Sequence, residues 1–171
     1  FESIANPYKR WAIGGVLIGL IVYFIPPLFG EGYEVVNNLL QENYAGVLKY
    51  NYFNISYDHV LLVSLLLVAL VFFKVIAMSI TFGAGGVGGV FAPTLFTGSI
   101  AGYVCATLLN YSGVFPQHVS PSNFALVGMA GLMAGVLQAP LTAIFLIAEL
   151  TGGYELFVPL MIVASISFII T

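Results

Sequence analysis

Long apolar runs separated by shorter polar stretches dominate this sequence. Residues 11–29 run for 19 positions without a charge, and residues 59–82 form the strongest apolar run, interrupted only by Lys74 among charged residues. A third apolar run extends from Phe91 to about Phe115. Because about 20 apolar helical residues cross the hydrocarbon layer of a bilayer, each run is long enough for a membrane span.

Shorter apolar segments follow the third run. Residues 124–138 and 141–150 are separated at Gln138, Ala139 and Pro140, and each is too short for a full crossing. A last apolar segment covers roughly 155–171. The pattern therefore predicts half-length helices beside the full spans.

The polar stretches indicate how the chain is oriented. Lys9 and Arg10 stand directly before the first span, which places the N-terminus on the cytoplasmic side by the positive-inside tendency. Residues 30–58 carry four acidic residues against one lysine, so we expect an external excursion there. The stretch "EVVNNLLQ" within it predicts a short amphipathic helix.

Composition fixes the class of protein. Apolar residues make up 60% of the chain and charged residues 6%, and the mean hydropathy is +1.05, so we predict an integral, multi-pass membrane protein. We expect an all-α, polytopic helix bundle with broken and half-length helices, in which residues 1–171 form one membrane domain. The net charge of −3 argues against a nucleic-acid partner, and Cys105 has no companion for a metal site. No cofactor is implied.

Small residues recur at helical spacing in the second half of the chain. They allow two helix backbones to approach closely in a medium where hydrophobic collapse contributes little. We therefore predict that these glycines pack helices together: Gly98, Gly102, Gly128, Gly131 and Gly135.

The segment "GAGGVGGVFAPTLF", residues 83–96, interrupts the apolar pattern with five glycines in seven positions. Non-helical backbone at membrane depth persists only where protein buries it or a watery cavity lines it. Pro93 suits the first turn of a helix, because the N–H that proline lacks would have no partner there. We therefore predict a helix that begins near Phe91.

The first N–H groups of such a helix have no partner within it and carry the positive end of the helix dipole. This predicts an anion site made of backbone at Gly89, Val90, Phe91 and Ala92. Gly88 and Gly89 would leave room for the ion and permit positive φ values. Spacing alone leaves a loop squeezed between packed helices as an equal alternative. A phosphate loop is disfavoured, since no strand precedes the glycines and no Lys-Ser or Lys-Thr follows.

The motif "GGVFAP" at 88–93 resembles the G-x-F-x-P signature of the CLC family of chloride channels and chloride/proton exchangers. The stretches "FFKVIAMSITFGAGGVGGVFAPTLFTG" at 72–98 and "GMAGLMAGVLQAPLTAIFLIAELTGGYELFVPLMI" at 128–162 are similar to helices of the same family. The resemblance implies chloride as the partner ion, coordinated partly by the N–H groups of the two residues after the signature glycine, here Val90 and Phe91.

The resemblance also implies a larger assembly in a lipid membrane. The chain resembles the C-terminal half of one subunit of an inverted-repeat transporter. It would need the missing N-terminal half, and it would form a homodimer in the plasma (inner) membrane. The family includes voltage-gated chloride channels as well as proton-coupled antiporters, and these residues do not decide between them.

Two other classes of protein are weighed against transport. A membrane scaffold would use the glycines for packing alone and hold no ion. An intramembrane hydrolase would need a base beside Ser99, and both histidines lie at predicted membrane edges, so we expect no enzyme. Within the second span, Lys74 is expected to extend its long stem to the cytoplasmic interface; the alternative is that it adds positive potential near the anion path.

Overall fold

The computed structural model describes residues 6–43, 60–151 and 154–171. Helices form the regular structure of these residues, and no strand occurs among them, which confirms the predicted all-α bundle. In chain order the elements are α1 (Pro7–Phe24), a 3₁₀ turn (Pro26–Leu28), α2 (Tyr33–Leu40), α3 (Val60–Gly83), α4 (Phe91–Ser112), α5 (Pro121–Leu137), α6 (Pro140–Leu150) and α7 (Phe157–Ile170).

Helices α4 and α5 form the centre of the bundle and cross through glycines. A Cβ atom at Gly98 would lie 2.6 Å from the carbonyl oxygen of Gly128, and one at Gly102 would overlap the carbonyl oxygen of Phe124. The two backbones are therefore in direct contact, which larger side chains would prevent. The predicted packing role of these three glycines is confirmed.

The same face of α5, one to two turns further along, uses its remaining glycines against α7. A Cβ atom at Gly131 would lie 2.7 Å from Cγ1 of Val163, and one at Gly135 would lie 2.7 Å from Oγ of Ser167. One glycine-bearing face of α5 thus contacts α4 at Gly128 and α7 further along the helix. The predicted packing role holds for this pair as well.

Helix length divides the bundle into full and partial crossings. Among the described helices, α3 with 24 residues and α4 with 22 are long and apolar enough to span a membrane. Helices α5, α6 and α7 have 17, 11 and 14 residues, in keeping with the predicted half-length pieces. The break between α5 and α6 falls at Gln138, whose φ of 54° is left-handed, and Pro140 starts α6.

The first span was predicted at 11–29, and its boundaries are wrong at both ends. Helix α1 begins at Pro7, where Oδ1 of Asn6 accepts a hydrogen bond of 3.0 Å from the N–H of Tyr8. It ends at Phe24 because Pro26 disfavours helical geometry at Ile25, whose φ is −130°. Lys9 and Arg10 consequently lie inside its first turn.

The predicted amphipathic helix is α2, which buries Val35, Val36 and Leu39. Its C-terminal end is fixed to α5, because the hydroxyl of Ser122 donates a hydrogen bond of 3.0 Å to the carbonyl of Leu40. Of the predicted external excursion at 30–58, residues 44–58 lie outside the described part of the chain.

Helix α3 ends in two backbone hydrogen bonds that require one glycine. The N–H of Gly86 donates to the carbonyl of Thr81 at 2.9 Å, and that of Gly85 donates to Phe82 at 3.0 Å, which is a Schellman motif. Gly85 accordingly has a φ of +92°. The positive φ expected at Gly88 and Gly89 is wrong, because the chain has already turned at Gly85.

Replacing Gly85 by alanine is expected to lower the free energy of unfolding by about 1 kcal/mol, since a Cβ atom is strained at positive φ. Denaturant titration of the purified full-length protein in detergent measures this change. The matched control is Gly89→Ala, where a Cβ atom meets no heavy atom within 4 Å. Equal stability of the two variants would contradict the assignment of the turn to Gly85.

Candidate functional site

The predicted helix start is found where the glycine segment ends. Helix α4 begins at Phe91, preceded by Val90 in right-handed helical geometry and without a side-chain cap. The N–H of Thr94 donates to the carbonyl of Val90 at 3.1 Å, and its hydroxyl donates to the carbonyl of Phe91 at 2.6 Å. Pro93 occupies the first turn, as expected.

The N–H groups just before α4 and at its first two residues have no acceptor among the described residues. Those of Gly89, Val90, Phe91 and Ala92 donate no hydrogen bond to another described group. Unpaired N–H groups at a helix start carry a partial positive charge, and they are a common binding site for anions.

A cavity of about 670 Å³ opens in front of this helix start. Its walls come from α1, from the turn after the 3₁₀ segment, from α3 and from the beginning of α4. The glycine-rich wall consists of Gly88 and Gly89, and the helix contributes Phe91, Ala92 and Pro93. The α1 part of the lining includes Gly15 and Gly19, whose lack of side chains widens the space.

Lys74 lies on a wall of this cavity, and the prediction that it extends to the cytoplasmic interface is wrong. Its side chain is only 5% exposed. The Nζ atom donates a hydrogen bond of 2.8 Å to the carbonyl of Gly30 and one of 3.4 Å to the carbonyl of Leu28. The ammonium group is therefore held against the connection between α1 and α2.

A phenylalanine of α4 completes the surroundings of Lys74. The Nζ atom lies 5.1 Å from the ring centroid of Phe96, within the range of a cation–π contact. This fully buried ring also packs against Gly32, the residue before α2, where a Cβ atom would overlap the ring. Lysine, phenylalanine and glycine thus join three separate elements at one point.

Three of the four predicted anion-site residues, Gly89, Phe91 and Ala92, line the larger cavity. Val90 instead lines a smaller cavity of about 240 Å³, and Lys74 lines both. Sequence reasoning missed the positions of Lys74, Phe96 and the 28–30 turn. The one available signal in the sequence was the charge of Lys74, because ionisable residues within a membrane face protein or a cavity.

No described residue suggests hydrolytic or metal chemistry here. Ser99 is fully buried, and its hydroxyl donates to the carbonyl of Phe96 within the same helix at 2.8 Å. Within residues 6–43, 60–151 and 154–171, no group of three or more His, Cys, Asp or Glu side chains is placed to hold a metal ion.

Comparison of the sequence with models of known protein families identifies the family of this chain. The sequence model of the voltage-gated chloride channel family matches residues 2–171. The chain belongs to this family. The predicted membership of the CLC family is thereby confirmed, and CLC proteins are integral membrane transporters.

Curated CLC relatives are similar along nearly the whole chain. A putative chloride channel protein ClcB-like from Ralstonia nicotianae is 35% identical over 155 residues, which cover 90% of this chain and 31% of the relative. An H(+)/Cl(-) exchange transporter ClcA from Vibrio vulnificus is 32% identical over 162 residues, covering 92% and 30%. The ClcA of Vibrio cholerae is 32% identical over 163 residues. The chain thus spans about a third of the length of the curated relatives it matches.

Proposed function

We propose that this protein moves chloride across a membrane, with the ion held by the N–H groups of Val90 and Phe91 and bordered by Gly89 and Ala92. The observation that carries the proposal is the start of α4, where these N–H groups have no acceptor among the described residues, and where Phe91 lines the larger cavity and Val90 the smaller one. The names of the CLC relatives, a chloride channel and H(+)/Cl(-) exchangers, support the choice of ion.

Backbone dipoles suit an ion that must be released as well as bound. The aligned peptides of α4 place roughly half a positive charge at its N-terminus, which attracts an anion without a full opposite charge. Conduction requires a site that replaces part of the hydration shell yet holds the ion weakly enough to release it. Gly88 and Gly89 add no side chain to the approach.

The working unit is larger than this chain in our proposal. Residues 1–171 form a single membrane domain, the C-terminal half of a CLC transmembrane unit, and an N-terminal half completes the anion path. We assign the homodimer contact to α6 and α7, because these two helices resemble the dimer-forming face of the family. The bacterial relatives support a multi-pass position in the inner membrane.

A membrane scaffold would need its glycines for packing, and the glycines of this chain divide into two groups. Gly98, Gly102 and Gly128 contact other backbones, whereas a Cβ atom at Gly89 would meet no heavy atom within 4 Å. A glycine that packs against nothing and borders a cavity is explained by passage of a ligand. This difference favours transport over a scaffold.

The test is Gly89→Val in the full-length protein reconstituted in liposomes. We expect chloride efflux to fall several-fold, because two methyl groups would enter the cavity beside the unpaired N–H groups. Assembly, followed by size-exclusion chromatography, should stay as in the unmodified protein. Unchanged efflux in Gly89→Val would contradict the proposed site, and an unmodified protein that assembles but releases no chloride would favour the scaffold. Efflux measured with and without a proton gradient distinguishes a channel from an exchanger.

A further inference from the structure

Helix α3 buries one narrow stripe, and a lysine occupies it. Its buried residues are Ser64, Leu67, Leu70 and Lys74, while most of its remaining residues are exposed. Burying an ammonium group costs several kcal/mol unless it is compensated, and a lysine in a span is retained mostly for function. Lys74 therefore requires an explanation beyond packing.

The groups that contact the ammonium of Lys74 accept its hydrogen bonds but carry no negative charge that would neutralise it. The carbonyls of Leu28 and Gly30 and the ring of Phe96 are all neutral. No carboxylate of the described residues forms an ion pair with Nζ. The carboxylate of Glu31 lines the same cavity and acts on the ammonium through space, without forming an ion pair. The positive charge of Lys74 is thus fixed in the wall at a place set by two carbonyls, with Glu31 as a partial counter-charge.

We infer that Lys74 sets the anion affinity of the α4 site through space, as a second positive element facing the same cavity. The inference rests on the proposed function. Lys74 and the start of α4 line the same 670 Å³ cavity, which puts them on the order of 10 Å apart, where a unit charge at protein dielectric changes an ion's dissociation constant about tenfold. Lys74 does not contact the ion, because its donors are engaged by carbonyls and the ring.

The competing explanation is that Lys74 only ties the 28–30 turn to α3. Removal of the hydrogen bonds would then shift the turn and lower the thermal stability. Chloride affinity would fall only in the variants that lose stability. The charge explanation instead makes affinity follow the charge at position 74. Three variants separate the two: Lys74→Arg keeps the charge, Lys74→Gln keeps a hydrogen-bond donor without charge, and Lys74→Met keeps neither.

The experiment measures chloride binding by calorimetry and thermal unfolding on the full-length protein in detergent. We expect Lys74→Gln and Lys74→Met to weaken chloride binding by about tenfold each and Lys74→Arg to stay within about threefold of the unmodified protein. Only Lys74→Met should also unfold markedly earlier. Lys9→Gln is the control, since it removes the same charge from an exposed position in α1 and should change neither quantity.

Each outcome decides the matter. Unchanged chloride affinity in Lys74→Gln overturns the inference, as does a folded Lys74→Arg variant with affinity as low as that of the neutral variants. If both neutral variants fail to fold, Lys74→His replaces them, because its imidazole is neutral at alkaline pH. A tenfold loss of chloride affinity in Lys74→His at alkaline pH, together with wild-type-like affinity in Lys74→Arg, then supports the inference. Absence of chloride binding in the unmodified protein overturns the proposed function itself, which no Lys74 result alone would do.

Discussion

Chloride affinity is expected to fall about 10- to 100-fold when the N–H of Phe91 is replaced by an ester oxygen. A hydrogen bond to a charged group contributes about 1.5–3 kcal/mol, and the N–H of Phe91 has no other acceptor among the described residues. The change is made by incorporating the α-hydroxy analogue of phenylalanine at position 91 of the full-length protein. Calorimetric titration with chloride measures the loss, and the side chain stays unchanged.

The matched control is the same ester at Val87. That residue is fully exposed, its N–H also donates to no described group, and it does not line the larger cavity. Chloride affinity should remain unchanged there. If the two esters behave alike, the N–H group of Phe91 does not hold the ion, and the anion site must be sought elsewhere.

The second large effect concerns the crossing of α4 and α5. Gly102→Ala is expected to destabilise the protein by about 1–3 kcal/mol, because the new methyl group would overlap the carbonyl of Phe124 and separate the two backbones. The effect must also overcome the gain in helix propensity of about 1 kcal/mol that alanine brings over glycine. Unfolding in detergent, followed by circular dichroism, measures it.

Gly19→Ala in α1 provides the comparison. A Cβ atom at Gly19 meets no heavy atom within 4 Å, so this variant gains helix propensity without a clash and should be slightly stabilised. Opposite signs for the same substitution in two helices would be a direct measure of the backbone contact. A stabilised Gly102→Ala variant would show that α4 and α5 do not cross through this glycine.

Local signals in the sequence were sufficient to locate α3 and the start of α4. The C-terminal end of α3 was predicted at residue 82 and lies at Gly83, because the long apolar run gives way to glycines there. The start of α4 at Phe91 follows from the glycine segment and from Pro93, which both act within a few residues. In α1, by contrast, the predicted span continues through Pro26 and Pro27, whereas the helix ends before them at Phe24.

The position of Lys74 depends on contacts that are distant in sequence. Its carbonyl partners lie 44 and 46 residues earlier, in a turn whose path the sequence does not reveal. Helix α3 is also apolar on nearly every side, so its pattern gives no indication of which side packs. The same holds for the glycine segment, where the composition predicted a turn but the end of α3 decided that Gly85 makes it.

Helix α4 carries the unpaired N–H groups in its first turn and the glycine contacts at Gly98 and Gly102 about two and three turns later. A tilt or rotation of α4 would separate it from the α5 backbone that it contacts. We therefore expect α4 to stay fixed relative to α5. In the proposed transport, the ion path would then open and close through side chains or other helices, while the N–H groups of α4 keep a constant position.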